Sequence, residues 1–483
     1  MNSKILEKGL LLIALVLTFL LVYSPHFSNQ FPIHIDEWHH ITESIKLKNG
    51  IQKGLSSTEL GFHFILSIIS YFADIVLIYK FLPALFALLS CLILFFIIKN
   101  KTSNLENSFM IAIFSIIFFA SIKSNVNLTG LWFFTPLTFS IPFIYLYMYF
   151  FSEGIIKQNN KFILVSLVIM IFLIPIHSIS VLFAIPILLI FSLFHLNYIK
   201  KQPFFLIFLL IPVVGLILYS RVMDLTILNS VKDLLFRLQF KSDWSVLEIK
   251  NSFLEVYSLV GYLLAIIGFV YITSSKEKFQ KYSIYVIWPI IILIYILIFK
   301  LTNISFLSPY QRNLYYLTLS LPFLSSLGLY AVLKVIKIQT SKIVYKDEYF
   351  REKIFKIIYF LFILLIIFLT FKSYFYISND IKLYKVISKD DYEALKFLSS
   401  LKKSKVIATP EISTAIFPIS NHEPLATIYF YGNSSVSYKF FNSNCNTKNQ
   451  IIDNYNISYI LSENPIDCNW DIIYSKKDII YRV

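Results

Sequence analysis

The sequence predicts a polytopic α-helical membrane protein, with about 11 transmembrane helices and a small α/β domain at its C-terminus. Three observations carry that expectation. The 483 residues are 57% hydrophobic and only 15% charged, with a mean hydropathy of +0.69, more apolar surface than a soluble chain of this size can hide. Uncharged runs of about 18 residues or more recur along most of the chain, the length a helix needs to cross the hydrocarbon core. After residue 371 that pattern gives way to short apolar stretches separated by polar turns.

The first apolar run, 9–27, follows Lys4 and Lys8, so the N-terminus is expected inside. The run is long, no small-residue cleavage pattern follows it, and further spans succeed it, which marks an uncleaved helix rather than a signal peptide. The first outer loop covers 28–79. Within it, the apolar run 61–72 is too short to cross and reads as an interfacial or re-entrant helix. Further spans are expected at 81–98, 109–122, 131–151, 162–175, 178–196, 204–219, 257–273, 282–299, 314–333 and 357–371. In that register Lys99, Lys101, Lys157, Lys161, Lys200, Lys201, Lys276, Lys278, Lys281 and the basic loop 334–356 share one side. A full span at 61–72 would invert every later loop and turn these clusters outward. The net charge of +15 therefore reads as positive-inside orientation, not as a nucleic-acid surface.

The expected boundary between the membrane domain, 1–376, and an extracytoplasmic α/β domain, 377–483, rests on that change of pattern. Helical periodicity covers 390–401 and 448–455, and strands are expected at 405–408, 457–461, 471–474 and 479–483. Cys91 lies in a span and reads as packing. Cys445 and Cys468 share the polar region placed outside, where a disulfide persists, but their spacing leaves the pairing open. Glycosylation sequons at Asn127, Asn303, Asn433 and Asn456 fall outside in this topology, and the one at Asn100 falls inside.

The densest group of ionisable side chains lies just past the first span, in Ile35-Asp36-Glu37-Trp38-His39-His40. Charge is expensive to place at a membrane boundary, so Asp36 and Glu37 are candidate catalytic residues. As structure alone, Asp36 would accept backbone N–H groups at the start of a helix over 37–48. Capping does not call for Trp38, His39 and His40 on the same turn. A carboxylate there can deprotonate an acceptor or hold a divalent cation against a phosphate. Neighbours on a helix diverge, so one of the two acts, and Asp36 is the choice. His39 and His40 can donate to phosphate or ligate metal. His63, at the start of the 61–72 helix, and His177, at the tip of the 162–196 hairpin, are expected at the same outer level. Arg312 sits at an outer span mouth against the general charge bias, where a guanidinium can grip phosphate bidentately. Arg221 and Arg237 are weaker candidates of the same kind.

These features, in this order, resemble the GT-C superfamily of membrane glycosyltransferases that use polyprenyl-phosphate sugar donors, in particular its mannosyltransferase-like and aminoarabinose-transferase-like branches. The resemblance is carried by Asp36-Glu37 after span one, by Gly61-Phe62-His63-Phe64, and by a span entered through Tyr79-Lys80-Phe81-Leu82-Pro83. Tyr310-Gln311-Arg312 leading into Leu321-Pro322, and a terminal domain opening Asp391-Tyr392-Glu393-Ala394-Leu395, complete it. It implies an inverting transferase that moves a sugar from a polyprenyl-phosphate donor to a lipid, glycan or protein acceptor at the outer face of the cell membrane. Asp36 would be the base or acceptor-binding carboxylate and Arg312 would bind the donor phosphate, with His39, His40, His63, His177 and Tyr310 as further substrate contacts. No cofactor is assigned beyond a divalent cation as a candidate, no metal ligand is assigned, and nucleic acid is not a partner. Oligosaccharyltransferase-like members carry a further acidic motif in the second outer loop as part of a metal site. Here the loop 123–130 has no acid, which argues against a metal requirement and against transfer of whole oligosaccharides. A transporter or lipid flippase is the alternative, but it calls for buried mid-span charges and repeated, broken helices. A non-catalytic scaffold is a third reading.

Overall fold

The computed structural model describes residues 3–51, 59–123, 130–199, 217, 221, 226, 229, 232–233, 236, 238–241, 253–343, 348–371, 386–428 and 432–483, and they form two compact units. The first unit comprises Met1–Val22, Ala84–Leu131 and Leu137–Ile377. Its principal helices are α1 (Ser3–Tyr23), α4 (Leu82–Lys101), α5 (Ser108–Ala120), α6 (Pro136–Ile156), α7 (Asn160–His177), α8 (Ala184–Phe194), α9 (Leu259–Thr273), α10 (Lys276–Thr302), α11 (Tyr310–Ile343) and α12 (Glu348–Phe371). Six helices among the described residues are long and apolar enough to cross a membrane, which makes this a multi-pass membrane protein. The expected count of about 11 is not confirmed among the described residues. Ser108–Ala120, Ile179–Phe194, Leu259–Thr273 and Phe360–Leu369 are apolar but shorter, and the span expected at 204–219 lies outside the described residues except Ile217. Arg237 and the sequon at Asn127 also lie outside them.

Two features order the first unit. Helices α9 and α11 cross at glycine: a Cβ on Gly268 would lie 2.0 Å from the Leu324 carbonyl oxygen, and one on Gly328 would lie 1.8 Å from that of Leu264. Backbones approach this closely only where side chains are absent, the usual device for packing helices in lipid. Ser325 adds a hydrogen bond from its hydroxyl to the Gly261 carbonyl, at 2.8 Å. At one end of the unit, a cavity of about 400 Å³ is lined by Lys101, Glu153, Lys157, Glu277 and Lys281. Glu153 there pairs with Lys101 and with Lys157, the latter at 2.7 Å. The basic residues after α4, after α6 and at the start of α10 thus share one end, as the charge pattern requires. Lys337 on α11 joins this end through Glu106, 3.6 Å away.

The second unit comprises Tyr23–Pro83, Trp132–Pro136 and Ser378–Val483. It holds α2 (Ile35–Lys48) and α3 (Leu60–Phe72) of the first loop together with the C-terminal region. The boundary expected at 376/377 falls within 372–385, outside the described residues. The C-terminal region alternates α13 (Lys389–Leu398), β3 (Lys405–Ile407), α14 (Pro410–Ser420), β4 (Glu423–Pro424), α15 (Ser434–Phe441), α16 (Cys445–Tyr455), β5 (Ile457–Ser462), β6 (Asp471–Ser475) and β7 (Ile479–Arg482). The strands form one sheet in the order β4-β3-β5-β7-β6, parallel through β5 and antiparallel beyond it. Apolar residues of the sheet and of α15 and α16, among them Ile407, Phe440, Ile460 and Tyr481, close the core. The disulfide left open by the sequence is formed between Cys445 and Cys468, with Cα atoms 5.7 Å apart. Cys91, in the first unit, is buried with its thiol toward Thr18.

Candidate active site

The acidic knot begins one residue before α2. His34 is in extended conformation and its Nδ1 accepts the Asp36 N–H at 3.1 Å, so the helix cap is His34. The capping role expected as the structural reading of Asp36 is therefore filled by another residue. Glu37 completes the cap in the reverse direction. One of its oxygens accepts the N–H groups of Ile33 and His34 at 2.9 and 3.0 Å. The other accepts the N–H of Phe134 at 2.9 Å, 97 residues further along the chain. Tyr79 donates its hydroxyl to the Phe134 carbonyl at 2.6 Å, and Trp38 donates to the Pro32 carbonyl at 3.0 Å. Glu37 and Trp38 are fully buried, and this lattice fixes the start of α2 against two other segments of its unit.

The two neighbouring carboxylates are thereby separated by environment. Glu37 has no exposed surface, whereas the Asp36 side chain is 34% exposed beside His34. Burial pushes the Glu37 carboxyl up to about 7, against the pull of its three N–H donors. Asp36 is the carboxylate a substrate can reach.

One helical turn past Asp36, His39 and His40 meet His63 from α3. The Nδ1 of His40 lies 3.0 Å from the Nε2 of His63, and the His39 ring is centred 5.4 and 5.9 Å from the other two. One ring nitrogen from each lies within 4.8 Å of the others. His63 is completely buried and its Nδ1 has no hydrogen-bond partner. Glu59 brings a carboxylate oxygen 4.0 Å from the His40 Nδ1, from a left-handed backbone position at φ 61°. Burial holds His39 below the ordinary imidazole range, opposed by Glu43 and Asp36.

The Arg312 candidate belongs to the first unit. The turn ahead of α11 is held by Asn313, which donates to Ser305 Oγ at 2.9 Å and accepts from the Ser308 hydroxyl. The strand Ile304–Phe306 (β2) inside that turn pairs with Gln239–Lys241 (β1). Arg312 projects its charge onto His177 and Tyr316. The His177 Nδ1 is 2.6 Å from the Ser180 hydroxyl, which lies 3.2 Å from the Tyr316 hydroxyl. His177, Ser180 and Tyr316 thus form one polar knot within reach of the Arg312 charge. Tyr310 is 1% exposed and stacked on Phe299 at 4.4 Å, with the Lys300 ammonium 4.8 Å over its ring. Arg312 and Lys337 stand at opposite ends of α11, about 37 Å apart at the rise of a straight helix, so the knot and the basic cavity mark opposite ends of the first unit.

His34, Glu59, Tyr79, Phe134, Ser180 and Tyr316 carry no signal that singles them out in the sequence as site residues. His34, two residues ahead of Asp36, is the one that could have been found, as the residue preceding a capping glutamate at its third position.

No protein-family model matches the chain, and no curated protein sequence matches it. Solved structures do. The archaeal oligosaccharyltransferase AglB from Archaeoglobus fulgidus, in complex with an inhibitory peptide and a dolichol-phosphate, superposes with a TM-score of 0.58 at 13% identity, covering 95% of this chain and 70% of that one. The same oligosaccharyltransferase in complex with zinc and sulfate gives 0.58 at 14% identity over 94% and 68% of the two chains. Tethered to an acceptor peptide containing a sequon, it gives 0.56 at 13% identity over 95% and 69%. The chain shares the fold of that oligosaccharyltransferase. At these identities the likeness is one of fold.

The His39–His40–His63 cluster fits a divalent ion by its own geometry: three imidazoles at this spacing, one carrying a buried nitrogen with no hydrogen-bond partner among the described residues, form a donor set suited to zinc or a similar transition ion. The sequence assigned these histidines to substrate binding and no residue to metal; the convergence of their nitrogens allows either use.

Proposed function

We propose that this chain is an inverting membrane glycosyltransferase that moves a sugar from a polyprenyl-phosphate-linked donor to a lipid, glycan or protein acceptor at the outer face of the membrane. The observation that carries the reading is the likeness of 95% of the chain to an oligosaccharyltransferase solved with a dolichol-phosphate. The reachable carboxylate of Asp36, next to a buried and fully engaged Glu37, supports it. Asp36 takes the proton from an acceptor hydroxyl or amine. The freed electron pair attacks the anomeric carbon from the face opposite the phosphate, and the carbon–oxygen bond to phosphate breaks with its electrons leaving on the polyprenyl phosphate. Arg312 keeps the role the resemblance gives it, binding of a donor phosphate through paired N–H donors. A divalent cation held by His39, His40 and His63 would add positive charge for a phosphate; without it the imidazoles remain hydrogen-bond donors.

The test is a transfer assay on membranes containing the full chain, with a panel of radiolabelled polyprenyl-phosphate sugars, with and without chelator. A peptide acceptor belongs in the first panel, because the neighbour was solved with one. Asp36→Asn is expected to lower the rate by about 10²–10⁴-fold, the contribution of a positioned base, with membrane insertion intact. An unchanged rate in that variant removes Asp36 from the mechanism. Transport of labelled lipid without any glycosyl transfer would favour a flippase instead.

A further inference from the structure

Three carboxylates far along the chain from the acidic knot converge in the C-terminal α/β region. Asp391 stands in the first turn of α13, Glu463 follows β5, and Asp478 precedes β7. One oxygen from each lies within 4.8 Å of the others. Asp391 is 4% exposed and Asp478 only 1%, while Glu463 opens to solvent. Asp391 uses its Oδ2 to accept the Ser388 N–H and close the cap of α13, and its Oδ1 has no partner outside the cluster. Both oxygens of Asp478 likewise have no partner among the described residues other than Asp391, with which Asp478 is in hydrogen-bonding contact. Lys477, whose charge acts on both aspartates, is 55% exposed and directed to Asp390 at 4.0 Å and Ser388 Oγ at 3.5 Å.

Two carboxylates facing each other out of water repel, and an isolated buried charge costs several kcal/mol. Either a shared proton or a cation relieves that repulsion. A shared proton satisfies two carboxyls and leaves Glu463 without a role, whereas a cation uses all three and reaches the site from the solvent side that Glu463 faces. The donors are all oxygen, the hard ligand set that selects calcium over zinc, with water filling the remaining positions. The three ligands come from three separate segments, so an ion there would tie the start of α13 to the sheet at β5 and β7.

We propose that Asp391, Glu463 and Asp478 bind a calcium ion that clamps α13 to the end of β5 and the start of β7 in the C-terminal sheet. With three protein carboxylates, one of them solvated, half-saturation is expected at about 10⁻⁴–10⁻³ M. The test uses the full chain purified in detergent. Calcium chloride, magnesium chloride and zinc chloride are titrated after chelator treatment, with ⁴⁵Ca dialysis for stoichiometry and the thermal midpoint as the second readout. One calcium per chain and a midpoint raised by several degrees, with a weaker response to magnesium, is the expected result. Glu463→Gln, at an exposed position, folds normally and weakens half-saturation at least tenfold. Asp478→Asn abolishes the calcium shift while its midpoint in chelator is no lower than that of the wild type, because a buried charge has been removed. No calcium binding by the wild type, or an undiminished shift in both variants, overturns the proposal. A proton-sharing pair announces itself as calcium-independent stability that falls as pH rises past neutrality, and that outcome also overturns it.

Discussion

Glu37→Gln is the perturbation that tests the division between the two acidic neighbours. Glutamine retains one carbonyl oxygen, which can go on accepting from Ile33 and His34, and turns its NH₂ toward the Phe134 N–H. Two donors then face each other, and a buried N–H left unpaired costs about 1–3 kcal/mol. A second effect runs the other way. Burial moves the Glu37 carboxyl from 4.5 to about 7, which corresponds to about 3 kcal/mol against the charged form. Because the folded value exceeds the unfolded one, the stability Glu37 contributes is fully present below pH 4.5 and is lost as pH rises to about 7. Glutamine does not titrate. The variant is therefore expected to be less stable than the wild type by about 1–3 kcal/mol at pH 5, with the gap closing or reversing by pH 8. Thermal unfolding of the full chain in mild detergent at both pH values measures the gap. Hydrogen exchange of peptides covering 33–34 and 134 shows which amide has lost its acceptor. A gap that is constant or widens with pH refutes the reasoning.

Two further outcomes follow from the same coordinates. Arg312→Lys keeps the charge but loses the paired donors, so the turnover number in the transfer assay is expected to fall about 10–100-fold; wild-type turnover would take Arg312 off the leaving phosphate. Gly328→Ala places a Cβ 1.8 Å from the Leu264 carbonyl oxygen and forces α9 and α11 apart, at about 1–3 kcal/mol, with Gly268→Ala behaving alike; an unchanged thermal midpoint in both would refute the close crossing.

How far the chain could be read in advance depended on whether the governing interactions were local. The strands at β5 and β7 and the helix at α13 declare themselves because their apolar period is set by one sheet or one helix face. Strand β4 does not: it has two residues, Glu423 and Pro424, and its place at the sheet edge comes from pairing with β3 alone. The helix Pro410–Ser420 was equally hidden, because Pro418 inside it and β-branched Ile412, Thr414 and Ile416 weaken every local helix signal. A hydropathy run continues through a short break: the 178–196 run holds Ile179–Leu182 and Ala184–Phe194, separated by a turn at Phe183. At the candidate site, composition drew attention to Asp36 and the histidines but gave no sign of Glu37's third partner, because a backbone N–H has no residue identity to read.

The sequence Asp36-Glu37 makes physical sense as a pair only when burial and presentation are considered together. A carboxylate that acts on a substrate must be reachable, and a reachable side chain on the first turn of a helix is poorly held, since helix ends fray. A carboxylate that holds the turn must be buried, and burial removes it from the substrate. Successive residues on a helix point about 100° apart, so placing the two side by side lets one face inward and the other outward from the same turn. Glu37 binds the helix start to Ile33, His34 and Phe134, and the rigidity is inherited by Asp36 through a single peptide unit. The His39–His40–His63 cluster continues the same turn and draws on the same anchor through α2. Displacement of about 1 Å is enough to lower a positioned catalytic step by about a hundredfold, so on the proposed mechanism the buried glutamate would set the precision with which Asp36 acts.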